Sequence, residues 1–138
     1  MPASARRLIG KARVGHLATS SAGQPTLIPV CFVLLGNTIY QAIDAKPKRV
    51  KPRQLRRVRN VTRNPRAALL VDQYREDWSQ LWYVLLEGRA RVLESGPEHQ
   101  RAIAALKRKY RQYVRMPLAG DSLVIALDVE RRRYWRSS

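Results

Sequence analysis

The chain has 138 residues, 45% of them hydrophobic, which supports one packed domain over 1–138 and excludes a disordered tail. Lys and Arg number 27 against 10 Asp and Glu, a net charge of +17 that draws anionic partners without dictating a fold. A single cysteine, Cys31, excludes an internal disulfide and suits a reducing, cytoplasmic setting, and with only His16 and His99 beside it the usual zinc clusters are excluded too.

Residues 4–13 carry Ala5, Leu8, Ile9 and Ala12 on one helical face, with Ser4 as the expected cap. "MPASARRLIGKARVGHLATS" lacks the continuous apolar core of a secretory signal, and no later window approaches the roughly 18 apolar residues of a membrane span. "GHLATS" reads as a strand and "SSAGQ" as a turn around Gly23. "PTLIPVCFVLLG" reads as one long strand buried on both faces or closed into a barrel, with Pro29 marking a bulge or an edge. Gly36–Asn37 turns the chain into the third strand, "TIYQAID".

Then comes the most unusual stretch. Lys46 to Arg66 holds ten Lys or Arg in 21 residues and no acid, so it supplies ten of the 17 net charges. Pro47 and Pro52 make 45–52 a loop. From Arg53 the pattern turns helical, with Leu55, Val58 and Val61 on one side and Arg53, Arg57 and Asn60 on the other, until Pro65 stops it. A purely solvated helix mixes both signs to form pairs one turn apart; unmixed charge behind a buried strand points to an anionic ligand. Arg57 and Asn60 share a face, as a phosphate clamp requires.

"RAALLVDQY" reads as a buried strand, "REDWSQ" with Glu76 and Asp77 as a solvated loop, and "LWYVLLEGRARVLE" as a long strand bent or bulged at Gly88. Trp82 and Tyr83 point to opposite faces of it, one inward and one toward a pocket or an interface. Pro97 opens a second long helix whose Ile103, Leu106, Tyr110 and Tyr113 face the core. "DSLVIALDVERRRYWRSS" closes the chain as a strand. The order is helix, three strands, helix, two strands, helix, strand: an α+β chain built on a small antiparallel barrel.

Catalytic constellations are weak. No Ser, His and Asp form an elbow motif, so no acid, base or nucleophile is assigned. Cys31 reads as an inert core thiol, and His16 and His99 as ordinary surface residues. A nucleic-acid partner is disfavoured, because no aromatic platform interleaves with the arginines of 53–66.

Taken together, "GHLATSSAGQPTLIPVCFVL", "NTIYQAIDAKPKR", "LRRVRNVTRNPRAALLVD" and "LWYVLLEGRARVLE" give the chain an order that resembles the FMN-binding split-barrel superfamily of pyridoxamine 5'-phosphate oxidase-like proteins. The run from Asn60 to Arg66, N-x-x-x-N-P-R, is its most characteristic piece. "AIDAKPKR" with "EDWSQLWYV" is similar to a subgroup of enzymes dependent on the deazaflavin coenzyme F420. The resemblance implies an antiparallel split β-barrel of about six strands with two to three flanking helices, paired as a homodimer with the cofactor in a cleft between subunits. It implies that Pro29 and Val30 lie near the ring, with Ile43 and Asp44 at the end of the third strand. Lys46, Lys48 and Arg49 approach the phosphate, Arg57 and Asn60 form the clamp, and Trp82 comes from the other subunit. It further implies an oxidoreductase passing a hydride between F420, or alternatively FMN, and a small molecule; a flavin- or haem-binding protein without turnover shares the same fold. A substrate-binding C-terminal segment like that of the pyridoxamine phosphate oxidases is missing after "RYWRSS", so their reaction is not implied.

Overall fold

The computed structural model describes residues 1–43, 54–116, 118 and 121–137. Seven strands form one antiparallel sheet in the order β2-β1-β5-β6-β7-β4-β3. They are β1 (Gly15–Ser21), β2 (Gln24–Val30), β3 (Val33–Leu35), β4 (Thr38–Ala42), β5 (Arg66–Gln73), β6 (Trp82–Leu93) and β7 (Val124–Arg136). The helices are α1 (Ala3–Lys11), α2 (Arg56–Arg63), α3 (Pro97–Lys109) and the one-turn α4 (Gln112–Arg115).

The sheet curls around one apolar core. Leu17, Ile39, Leu69, Val71, Val84, Leu86, Ile125 and Leu127, from five strands, meet Ala5 and Ile9 of α1 and Val58 and Val61 of α2 there. These strand positions alternate, so the same period that fills the inside leaves a second, outward set. On β4 and the first half of β7 the outward set is buried as well: Tyr40, Ala42, Val124 and Ala126 pack under Ala102, Ile103 and Leu106 of α3.

The long apolar run after Gly23 does not form a single strand. It breaks at Cys31–Phe32, because the backbone of Phe32 bonds to side chains rather than to a ladder: its N–H donates to the Tyr110 hydroxyl (2.9 Å) and its carbonyl accepts from Lys109 Nζ (2.9 Å). The break raises the strand count to seven and leaves Cys31 exposed, not in the core as its apolar neighbours suggested. β2 is an edge strand paired with β1 alone, which is where Pro25 and Pro29 can lack their N–H groups without breaking a ladder. It is largely exposed, not buried on both faces. α1 begins at Ala3 behind Pro2, and Ser4 does not cap it.

His99 also departs from the sequence reading. It faces inward from the first turn of α3, is 1% exposed, and its Nε2 lies 2.6 Å from the Ser122 carbonyl. Pro97 does open α3, at the first turn, and Pro65 follows α2. The bulge expected at Gly88 is present: Glu87 pairs with Arg131 but Gly88 with Val129, so Glu130 is the extra residue on β7. A Cβ on Gly88 would lie 1.9 Å from the Asp128 carbonyl oxygen, which is why no side chain is tolerated there.

Candidate functional site

Beyond the bulge, no helix among the described residues covers the outward face of the sheet. Register places three rows across it: Leu27, Ala18, Ala68, Glu87 and Arg131; then Pro29, His16, Leu70, Leu85 and Arg133; then Asp72, Tyr83 and Trp135. The Tyr83 and Trp135 rings stack at 5.9 Å with 23° between their planes. Leu27 remains 68% exposed and Trp135 45%. The face is therefore an apolar shelf edged by Arg131 and Arg133, both exposed, and by the carboxylates of Glu87 and Asp72.

Two shallow clefts border it. One of about 280 Å³ is lined by Thr19, Ser20, Arg66, Glu87, Gly88 and Arg131, and Arg66 within it pairs with Glu130 at 2.7 Å. The other, of about 310 Å³, is lined by Lys11, Arg13, His16, Asp72 and Trp82. The Nδ1 of His16 is buried and makes no hydrogen bond among the described residues.

The sequence-predicted residues fall into two groups. At one end of the β1–β2 hairpin, α2 is pinned by Asn60, whose Nδ2 donates to the hydroxyls of Thr19 (3.1 Å) and Thr26 (3.3 Å), and by Asn64, which donates to Ser20 (3.1 Å). Asn60 is thereby buried, while Arg57, one turn earlier, is half-buried. At the other end, Pro29 is exposed on the shelf beside His16. Val30 turns inward to the core, as do Ile43, whose N–H donates to the Leu123 carbonyl (2.8 Å), and Trp82. Asp44, Lys46, Lys48 and Arg49 lie outside the described residues. Within one chain, then, Trp82 and Pro29 share the His16 end and Arg57 and Asn60 the hairpin-tip end.

Residues that sequence reading passed over also shape this region. Lys109 Nζ sits 3.9 Å from the centroid of the Phe32 ring, and Arg13 lies 4.7 Å over the Tyr110 ring. Burial first, and the Arg13 charge second, push the Lys109 amine down to about 8. The Tyr110 hydroxyl also donates to Arg13 or Phe32 carbonyl oxygens at 3.0 and 3.1 Å, and burial raises its pKa. This cluster fixes the junction that follows Pro29 and Val30. Its only sequence signal was the helical repeat that placed Tyr110 inward.

The curled antiparallel sheet, with its helix-covered and helix-free outward halves, defines the split-barrel class of α+β proteins. A family model described as pyridoxamine 5'-phosphate oxidase matches residues 1–136, and the chain belongs to that family. No curated protein matches it. Among solved structures it is similar to a conserved hypothetical protein from Mycobacterium tuberculosis, with TM-score 0.78 and 19% identity over 99% of this chain and 85% of that one. A heme binding protein from Mycobacterium smegmatis gives TM-score 0.76 and 25% identity over 98% of this chain and 55% of the other. A FAD-binding protein from Mesorhizobium loti gives 0.72 and 16% over 97% and 94%.

Proposed function

We propose that the chain is an oxidoreductase that binds coenzyme F420, or alternatively FMN, between two copies of itself and passes a hydride to or from a small molecule. The observation that carries this reading is the helix-free shelf: a flat apolar face with a stacked aromatic pair, rimmed by arginines, suits a fused ring with an anionic tail. When bound, such a cofactor supplies the two-electron chemistry, and the protein supplies position and dryness. Pro29, exposed on β2, borders the ring, with the backbone of inward-facing Val30 beside it. Ile43 and Asp44 complete the cofactor-binding set. Lys46, Lys48, Arg49 and Arg57 hold the phosphate, with Asn60 fixing α2 to the hairpin so that Arg57 stays aimed. Trp82 lies at the far end from this clamp, so a second copy brings the two groups of residues to one cleft. The net charge of +17 favours F420, whose phosphodiester and glutamate tail exceed FMN in negative charge.

The test is to titrate the purified protein separately with F420 and FMN, following ring fluorescence, with the mass in solution measured by light scattering. Saturable binding by a dimer supports the reading. Binding of neither cofactor, or a monomer that stays monomeric when saturated, overturns it.

A second reading has one observation in its favour. His16, beside the open face, has a buried Nδ1 with no hydrogen bond among the described residues, and a structural neighbour is named as a heme binding protein. A haem binder without turnover would then use His16 as an iron ligand. A Soret band on adding haemin, abolished in His16→Ala, supports this; no band, or a band unchanged in the variant, rejects it.

A further inference from the structure

The outer side of α3 and α4, like 46–66, carries charge of one sign only. From Gln100 to Gly120 the chain has six Lys or Arg and no acid. Ala102, Ile103, Ala105 and Leu106 take the inward side of α3, so Arg101, Lys107, Arg108, Arg111 and Arg115 are all exposed. None of these five side chains enters an ion pair or a hydrogen bond among the described residues, whereas Arg66 and Arg91 are paired at 2.7 Å. Two aliphatic side chains stand among them: Val114 is 78% exposed and Met116 45%. This side lies over the covered half of the sheet, away from the shelf, and does not rest on the cofactor reading.

We propose that this face docks on an anionic membrane surface. Five cations without a counter-charge need a partner that is negative over an area, not at one point. An aliphatic pair set among cations matches the boundary between headgroups and acyl chains, where apolar tips enter and long basic chains reach lipid phosphates. A nucleic acid would instead be met by aromatic stacking platforms, and the exposed residues of α3 and α4 include no aromatic. Each cation near such a surface contributes about fivefold to partitioning, which salt then screens.

The experiment is vesicle flotation of the full chain, with phosphatidylcholine vesicles against vesicles that also contain phosphatidylglycerol, at low and high salt. The protein floats with the anionic vesicles alone, less so at high salt. The double variant Arg111→Ser with Arg115→Ser lowers partitioning about thirtyfold. Val114→Ser with Met116→Ser, which keeps every charge, lowers it about tenfold. Arg75→Ser with Arg136→Ser makes the same charge change at the opposite end of β6 and β7 and lowers it by about threefold or less. The proposal is overturned if nothing floats or if the distant pair matters as much as the local one. It is equally overturned if Val114→Ser with Met116→Ser leaves flotation unchanged, or if a DNA duplex binds this face more tightly than the vesicles.

Discussion

The two halves of the sheet's outward surface are built from the same strands and meet opposite fates. Before the bulge, β4 and the first half of β7 lie under α3, and the polar groups at the seam are closed. Arg91 reaches Glu98 of α3 at 2.7 Å and Asp128 of β7 at 2.7 Å, and Tyr40 donates to the same Glu98 at 2.7 Å. After the bulge, β1, β5, β6 and the rest of β7 present Leu70, Leu85, Tyr83 and Trp135 with no helix of the described residues over them. A large apolar face that the described residues leave open is suited to contact with another surface. Gly88 divides the halves, since the extra residue Glu130 re-aims the partner strand there.

Breaking the divide has the largest expected effect. Gly88→Ala places a methyl group 1.9 Å from the Asp128 carbonyl oxygen, and backbone cannot swing aside as a side chain does. The expected loss is about 3 kcal/mol or more, seen as a lower denaturant midpoint. The halves themselves separate next. Leu106 is 0% exposed beneath the covered half, and Leu106→Ala costs about 2–5 kcal/mol. Leu85→Asp, on the open half, leaves the thermal midpoint within a few degrees, yet lowers the proposed pairing of two copies about a hundredfold by light scattering. Equal destabilisation by the two variants would abolish the distinction between core and open shelf.

The seam ranks third. Arg91→Met takes the guanidinium from two carboxylates, leaving Glu98 with Tyr40 and Asp128 with Thr38, and removes a forked contact, an effect of about 1–2 kcal/mol for a partly exposed network. Its pH dependence sharpens the point. Arg91 holds Glu98 down to about 2 from an ordinary 4.5, and it lowers Asp128 as well. A depressed carboxylate stabilises the fold above its unfolded pKa and loses that contribution as pH falls through the folded value. The wild-type advantage over Arg91→Met therefore stands at neutral pH and fades between about 4.5 and about 2 in denaturant titrations at stepped pH.

Much of this fold was legible because period-two and helical repeats report the core face directly. β5, β6 and α3 came from such patterns, and the bulge came from the glycine at 88 inside a strand. What stayed hidden are events decided by tertiary partners. Nothing near Phe32 announces that Tyr110 and Lys109, far along the chain, will take over its backbone groups and split a strand. Burial of His99 likewise depends on the distant Ser122 carbonyl. The candidate site was legible as chemistry but not as placement. Asn60 was marked for its side chain, and the structure commits that amide to Thr19 and Thr26. Which outward strand positions stay open depends on where α3 lands.

The smallest expected effect lies at the junction between β2 and β3. Lys109 is pushed down to about 8 from an ordinary 10.5, by burial first and by Arg13 second. Here the sign is opposite to that of the seam. The unfolded chain binds this proton more tightly, so stability rises with pH as it climbs from about 8 toward about 10.5. Lys109 is half-exposed, and screening reduces the gain to about 1 kcal/mol or less. Lys109→Met removes the ammonium and with it the slope, while giving up the bond to the Phe32 carbonyl at every pH. Chemical denaturation of both proteins at stepped alkaline pH should show a rising midpoint for the wild type alone. A matching rise in the variant would assign the slope to another group and leave Lys109 as a plain hydrogen-bond donor at the break between the strands.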